Sequence, residues 1–292
     1  MRLTFPGLRL TRRAFVASGL WASAAFAQEA PAEFSVVVQN GLLTAVFADG
    51  TTDTDLTSAL PLLAAKSVQA VSLRGSPVRD IRSLIGLTNL QSLDICGSLV
   101  RDATFLTGLT KLQQLNLQFL PISDLRPLMG MTGLRVLNLS GTDIRDVGPL
   151  SGLRALQELV IAVTKIRDLT PLAGLTSLGV LDIAGTGVRD ISPLARMSRL
   201  HSLSLNGTKV SDLGPLAKLI RLEDLDLGGT PVSDISALAR LGNLRSLDLE
   251  STQVIDVSPL AGLESLRSLS LGGSRVTDIS ALSRLSNLVI RR

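Results

Sequence analysis

The stretch Leu178–Arg199, LGVLDIAGTGVRDISPLARMSR, decides the fold, because much the same letters recur ten times. Counted from its first residue, apolar side chains stand at positions 1, 4 and 6 (Leu178, Leu181, Ile183). Gly185 and Thr186 follow, then Val188, Asp190, Ile191, Pro193, Leu194 and Met197. The first position recurs at Val68, Leu90, Leu112, Leu134, Leu156, Leu178, Leu200, Leu222, Leu244 and Leu266, with a truncated eleventh start at Leu288. A fixed 22-residue period without insertion or deletion marks a stack of identical supersecondary units.

The alternation at positions 4 to 6 is strand-like. One such strand cannot bury its apolar side alone, but coils stacked about 4.8 Å apart can. Aliphatics at positions 11, 14, 17 and 20 fill the rest of each coil. Each inward side chain contributes roughly 1.5–3 kcal/mol when fully buried. Opposite the strand only S-P-L-A or G-P-L-A remains, with proline at position 16 as in Pro149, Pro171 and Pro193. Proline there suits the first turn of a short 3-10 segment, and a full α-helix has no room. The expected fold is an α/β solenoid, its residues 68–290 forming one concave parallel sheet of ten to eleven strands.

These residues resemble the leucine-rich repeat family, most closely its internalin-type 22-residue class. The resemblance spans 68–292. It implies a right-handed horseshoe with short irregular outer segments, and it names no ligand, since such scaffolds serve many partners.

Before the repeats, residues 1–27 have the form of an export signal. Arg2, Arg9, Arg12 and Arg13 precede an apolar run from Ala14 to Phe26, and Ala25-Phe26-Ala27 is a small-x-small cleavage site. Arg12-Arg13 is similar to the twin-arginine signal of bacteria; a general secretory signal is the other reading. The run is too short for a membrane anchor. Removal of the leader leaves 25 basic and 25 acidic residues, so the excess of positive charge belongs to the leader and argues for no nucleic-acid face. The only tryptophan leaves with it, and four phenylalanines remain as the aromatics: Phe34, Phe47, Phe105 and Phe119. Residues 28–67 read as a tail and an N-terminal cap. Phe34–Val38 and Leu42–Phe47 flank Asn40-Gly41, a strong hairpin signal, and Asp53 to Asp55 offer an N-cap for a helix over Leu56–Ala65. Localisation is expected to be periplasmic or secreted.

The aspartates at position 13 (Asp80, Asp102, Asp124, Asp146, Asp168, Asp190, Asp212, Asp234, Asp256, Asp278) form a ladder. Carboxylates stacked in this way could suggest calcium. A structural role as acceptors of backbone N–H groups fits better, because calcium-binding repeats carry dense Gly and Asp at shorter periods. Arginines just before the Asp, such as Arg145 and Arg167, add to that reading. The position-9 threonines (Thr142, Thr164, Thr186, Thr208, Thr230, Thr252) read as bonding the loops of adjacent coils. Leu120 breaks that ladder and Phe119 replaces the usual glycine, so a local departure of this loop is expected.

One histidine, His201, and one cysteine, Cys96, assemble no catalytic or metal constellation, and no cofactor, metal or enzymatic activity is expected. The expected function is a protein-binding module using the concave strand face, with no nucleic-acid partner and no stable membrane insertion. The alternative is an envelope scaffold that self-associates through its solenoid ends as a weak end-to-end dimer. On the face, positions 3, 5 and 7 point outward. Val136, Val160, Ala162, Val180 and Ala184 give an apolar patch, with Phe119 and Val163 at its rim. Asp182, Asp224, Asp226, Asp248 and Glu250 give an acidic flank, with Glu223 close by.

Overall fold

The computed structural model describes residues 34–292, so the signal at 1–27 and the tail at 28–33 lie outside the described residues. The described residues begin with a hairpin of β1 (Phe34–Gln39) and β2 (Leu42–Phe47), paired antiparallel. Asn40 and Gly41 both take positive φ, at 52° and 79°, as a tight two-residue turn of this hand requires. Helix α1 (Asp53–Ala65) follows, starting three residues before the expected Leu56 and taking in the aspartates expected to cap it. Thr52 is its N-cap. Its hydroxyl accepts from Asp55 N, and the Asp55 carboxylate accepts from Thr52 N at 2.9 Å. Asp53 points the other way, accepting the backbone N–H groups of Arg79 and Asp80 at 2.8 and 3.0 Å, which ties the cap to the first coil.

Eleven three-residue strands then run from β3 (Ala70–Ser72) to β13 (Val289–Arg291), one per coil, all parallel. The cap does more than cover the first coil. Strand β2 pairs in parallel with β3, so one sheet of 13 strands runs in chain order. The register is locked to the repeat: Leu93, Leu115, Leu137, Leu159, Leu181, Leu203, Leu225, Leu247 and Leu269 face one another across successive strands. A slip of one residue would turn every leucine outward. Backbone bonds carry the ladder beyond the three-residue strands. Gln157 N donates to Arg135 O, Leu139 N to Val160 O and Gly141 N to Ala162 O, at 2.8–2.9 Å. The outer side holds ten short 3-10 segments, such as Ser192–Arg196 with its proline in the first turn. The apolar side chains of positions 1, 4, 6, 11, 14, 17 and 20 form one continuous core through the coils.

Two ladders of side chains close each coil. At position 13 every aspartate accepts the backbone N–H two residues on, from Asp80 with Arg82 to Asp278 with Ser280, at 2.7–2.9 Å. This is the structural role expected of them. The guanidinium partners stand two residues after the aspartate rather than before it: Arg82 on Asp80 and Arg126 on Asp124. The Arg82 side chain holds Asp80 down to about 2, and hydrogen bonds from Thr104 hold Asp102 below the usual carboxylate range.

The position-9 threonines differ from expectation. Each hydroxyl donates to the carbonyl three residues earlier in its own coil, as Thr186 does to Ile183 at 2.7 Å, and not to a neighbouring coil. The cause is the residue just before. All ten position-8 residues take positive φ, which folds the chain back on its own strand. At Leu120 the hydroxyl is lost but the turn is kept: Phe119 has φ 62°, Phe119 N donates to Ser140 O, and Leu120 N to Leu117 O. The loop departs locally just beyond this turn: Pro121 has no N–H to give the previous coil, and Ile122 N bonds to Leu120 O at 2.8 Å.

Candidate functional site

Position 8 is where the strands leave the concave sheet, and positive φ there suits glycine. Gly75, Gly97, Gly141, Gly185, Gly207, Gly229 and Gly273 sit at 66–68°. Phe119, Val163 and Ser251 adopt the same conformation at 62°, 54° and 56°. For a bulky or β-branched residue this backbone costs about 1–3 kcal/mol. Neither Phe119 nor Val163 recovers that cost by burial, since they are 63% and 68% exposed. The Phe119 ring lies over Gly141: a Cβ built on that glycine would stand 2.4 Å from ring carbon Cδ1. Val163 lies against Gly185 in the same manner, at 3.5 Å. The result is an apolar strip along the strand-exit rim, running from Phe119 over Gly141 and Val163 to Gly185.

Inside the rim the expected apolar patch is interrupted. Val136, Val160 and Val180 are half-buried on the strand face. The register sets Glu158 between Val136 and Val180, and sets Val160 between Asn138 and Asp182. Ala162 is not an outward contact. It is 8% exposed, because a single methyl does not rise above its neighbours.

The acidic flank divides in two. Asp182, Asp226 and Asp248, all at position 5, accept the backbone N–H two residues on, from Ala184, Gly228 and Glu250 at 2.7–2.9 Å. Asp94, Asn116 and Asn138 do the same for Cys96, Gln118 and Ser140. A second aspartate–asparagine ladder thus shapes the strand exit. Asp226 also accepts from Ser204 and Asn206. Asp224 and Glu250 are exposed, and among the described residues their carboxylates take no hydrogen bond or ion pair. Glu223 pairs with Arg245 at 3.4 Å. Within this acidic flank only Asp224 and Glu250 are therefore free to meet a partner without loosening a loop or breaking an ion pair.

The chemistry elsewhere is sparse. Cys96 is buried, and burial pushes its thiol up. Among the described residues no group of three His, Cys, Asp or Glu stands close enough to hold a metal ion, and no helix is long and apolar enough to cross a membrane.

A family model of paired leucine-rich repeats matches residues 132–174, 198–240 and 242–284. Among solved structures, an internalin (inlF) of Listeria monocytogenes is 26% identical over 96% of this chain and 93% of its own, with a TM-score of 0.66. An internalin C2 of the same organism is 36% identical over 61% of this chain and 78% of its own, with a TM-score of 0.59. The chain belongs to the leucine-rich repeat family, in its internalin-type class. The ectodomain of the Arabidopsis thaliana receptor kinase GASSHO1/SCHENGEN3, in complex with CASPARIAN STRIP INTEGRITY FACTOR 2, shares the fold at 16% identity, covering 77% of this chain and 35% of its own, with a TM-score of 0.55. A comparison with curated proteins finds no match. Leucine-rich repeat proteins mediate protein–protein interaction, and their curvature supplies an extended concave binding surface.

The strain at the rim gives a direct test. Val163→Gly should raise stability by about 1 kcal/mol, since relief of about 1–3 kcal/mol of backbone strain exceeds the 0.5–1 kcal/mol entropic cost of glycine. Urea unfolding followed by circular dichroism checks it. An unchanged or lowered midpoint would show that Val163 is not strained.

Proposed function

We propose that this protein is a non-enzymatic protein-binding module that holds a protein partner on its concave face, gripping it along the strand-exit rim. The observation that carries the reading is the pairing of exposure with strain at Phe119 and Val163. Two coils give up glycine, accept a disfavoured backbone, and leave the apolar side chains in water. Stability alone disfavours that arrangement, so a bound surface is its natural beneficiary. Val160, with Val136 and Val180, extends the contact inward, and Asp224 and Glu250 meet basic groups at the partner's rim.

The charged start, apolar run and Ala25-Phe26-Ala27 support export from a bacterial cell and a periplasmic or secreted site of action. Replacing Arg12-Arg13 by Lys-Lys should retain the precursor in the cytoplasm if the twin-arginine route is used. Unchanged export would assign the general route.

The partner is tested by capture from envelope fractions of the native host. Val160→Asp with Phe119→Ser should abolish capture while circular dichroism stays that of wild type. Asp224→Lys with Glu250→Lys should slow association and weaken its salt dependence, whereas Asp226 and Asp248 are unsuitable for this purpose because they hold loops. Wild-type binding by both double variants would reject the face. A second reading, assembly through the solenoid ends, draws on the last coil: Val276, Ile279, Leu285, Leu288 and Ile290 are only partly buried, and Val289 is 59% exposed. Capture of this chain's own copies alone, insensitive to the strand-face changes, would favour it.

A further inference from the structure

The opposite edge of the concave sheet, where the strands begin, carries a feature that neither the apolar rim nor the acidic flank explains. Position 2 of the first ten coils bears a row of long polar side chains: Gln69, Gln91, Gln113, Arg135, Gln157, His201, Glu223, Arg245 and Arg267. Coil six breaks the row with Gly179. Its φ is not positive, so the backbone does not demand glycine there. What the glycine provides is space. A Cβ on it would stand 3.0 Å from His201 Nε2 and 3.1 Å from His201 Cδ2, so the imidazole lies across the gap.

Around this gap the surface sinks into an open groove of about 810 Å³. Val136 and Val180 give it apolar lining, Glu158 lies between them on the middle strand, and His201 lines it beside Gly179. Arg199, Lys218 and Arg221 line the rim. Arg199 and Arg221 hold position 22 of adjacent coils, where most other coils carry Asn, Ser, Gly or Ala. Among the described residues no carboxylate stands within ion-pairing distance of Arg199, Lys218 or Arg221. Three cations without an ion pair thus line a groove that holds one carboxylate.

We infer that this groove takes an extended acidic segment of the protein partner, one in which a carboxylate neighbours a small apolar side chain. The inference deepens the strand-face reading and rests on it. A planar guanidinium takes a carboxylate through two parallel N–H bonds, which suits Arg199 and Arg221. The neighbouring apolar side chain rests on Val136 and Val180. The Glu158 carboxylate accepts a backbone N–H of the segment, so the one negative group in the groove serves its main chain. A basic segment would meet three like charges, and nucleic acid would find neither a continuous basic stripe nor an aromatic platform.

The chain's single histidine supplies the reporter. With isotope-labelled histidine, the His201 imidazole resonance is followed as blocked peptides are added up to about 10 mM, the range of weak single-segment contacts. Acetyl-Val-Asp-Val-Asp-amide should move the resonance saturably, and acetyl-Val-Lys-Val-Lys-amide should not. Gly179→Gln, which restores the row, should abolish the shift. Arg199→Glu with Arg221→Glu, both exposed and remote from the core, should weaken binding about tenfold or more. The inference is overturned if neither peptide moves the resonance, if both move it alike, or if the Arg199→Glu and Arg221→Glu protein binds the acidic peptide as wild type does. Because no partner is present in this experiment, its failure leaves the rim reading to be judged by capture alone, and the two can fail separately.

Discussion

Every feature of this molecule depends on one constraint: the chain must return to the same register after 22 residues. Only then does each strand's N–H row meet the carbonyls of the coil beside it, and only then do the leucines stack. The constraint is met by small recurring devices. A left-handed residue at position 8 turns the chain out of the sheet. The position-9 hydroxyl bonds back to its own strand, the position-5 carboxamide or carboxylate fixes the exit, and the position-13 aspartate starts the outer 3-10 turn. None is strong alone: the position-13 bonds are exposed and the position-5 bonds exposed or partly buried, while the position-9 threonines are buried. Their joint effect is to make the coil's length invariant, and that lets the buried leucines stabilise the whole.

Departures from such a repeat are easy to see and informative. A scaffold built of equal coils gains nothing from Phe119 or Val163 at a glycine position, nor from Gly179 in a row of long polar side chains. The first two add apolar surface to one edge of the concave sheet at a cost in backbone energy. The third removes a side chain from the opposite edge and opens a groove. Both lie in the middle coils, and between them the strand face carries Val136, Val160 and Val180. A partner spanning that face would touch an apolar rim on one side and a basic groove on the other.

The architecture was legible in the sequence because a 22-residue period of leucines leaves few folds that bury them. The strand number, the core and the aspartate ladder followed from it. What escaped depended on atoms rather than on period. Alternation placed Asp182, Asp226 and Asp248 on the outer face, but it could not show that their oxygens were already occupied by the N–H two residues on. It placed Ala162 outward without showing that a methyl is too short to emerge. The threonine hydroxyls bond within their own coils because of the left-handed backbone before them, a conformation that the period of the leucines does not carry. The hairpin was visible at Asn40-Gly41, but its parallel pairing with the first coil is a contact distant in sequence and left no local signal. For the face itself the signals were there at positions 8 and 2: a missing glycine at Val163, and a glycine at Gly179 where the row calls for a long side chain.

The coils are interchangeable as scaffold and unequal as surface. Excision of whole coils, measured by circular dichroism and partner capture on the same preparations, tests this most directly. Removing residues 156–177, which carry Val160 and Val163, should leave a cooperatively folding, shorter solenoid that no longer captures its partner. Removing 90–111, outside the proposed face, should leave both folding and capture intact. Collapse of the fold on loss of either single coil, or capture that survives the loss of 156–177, would contradict it.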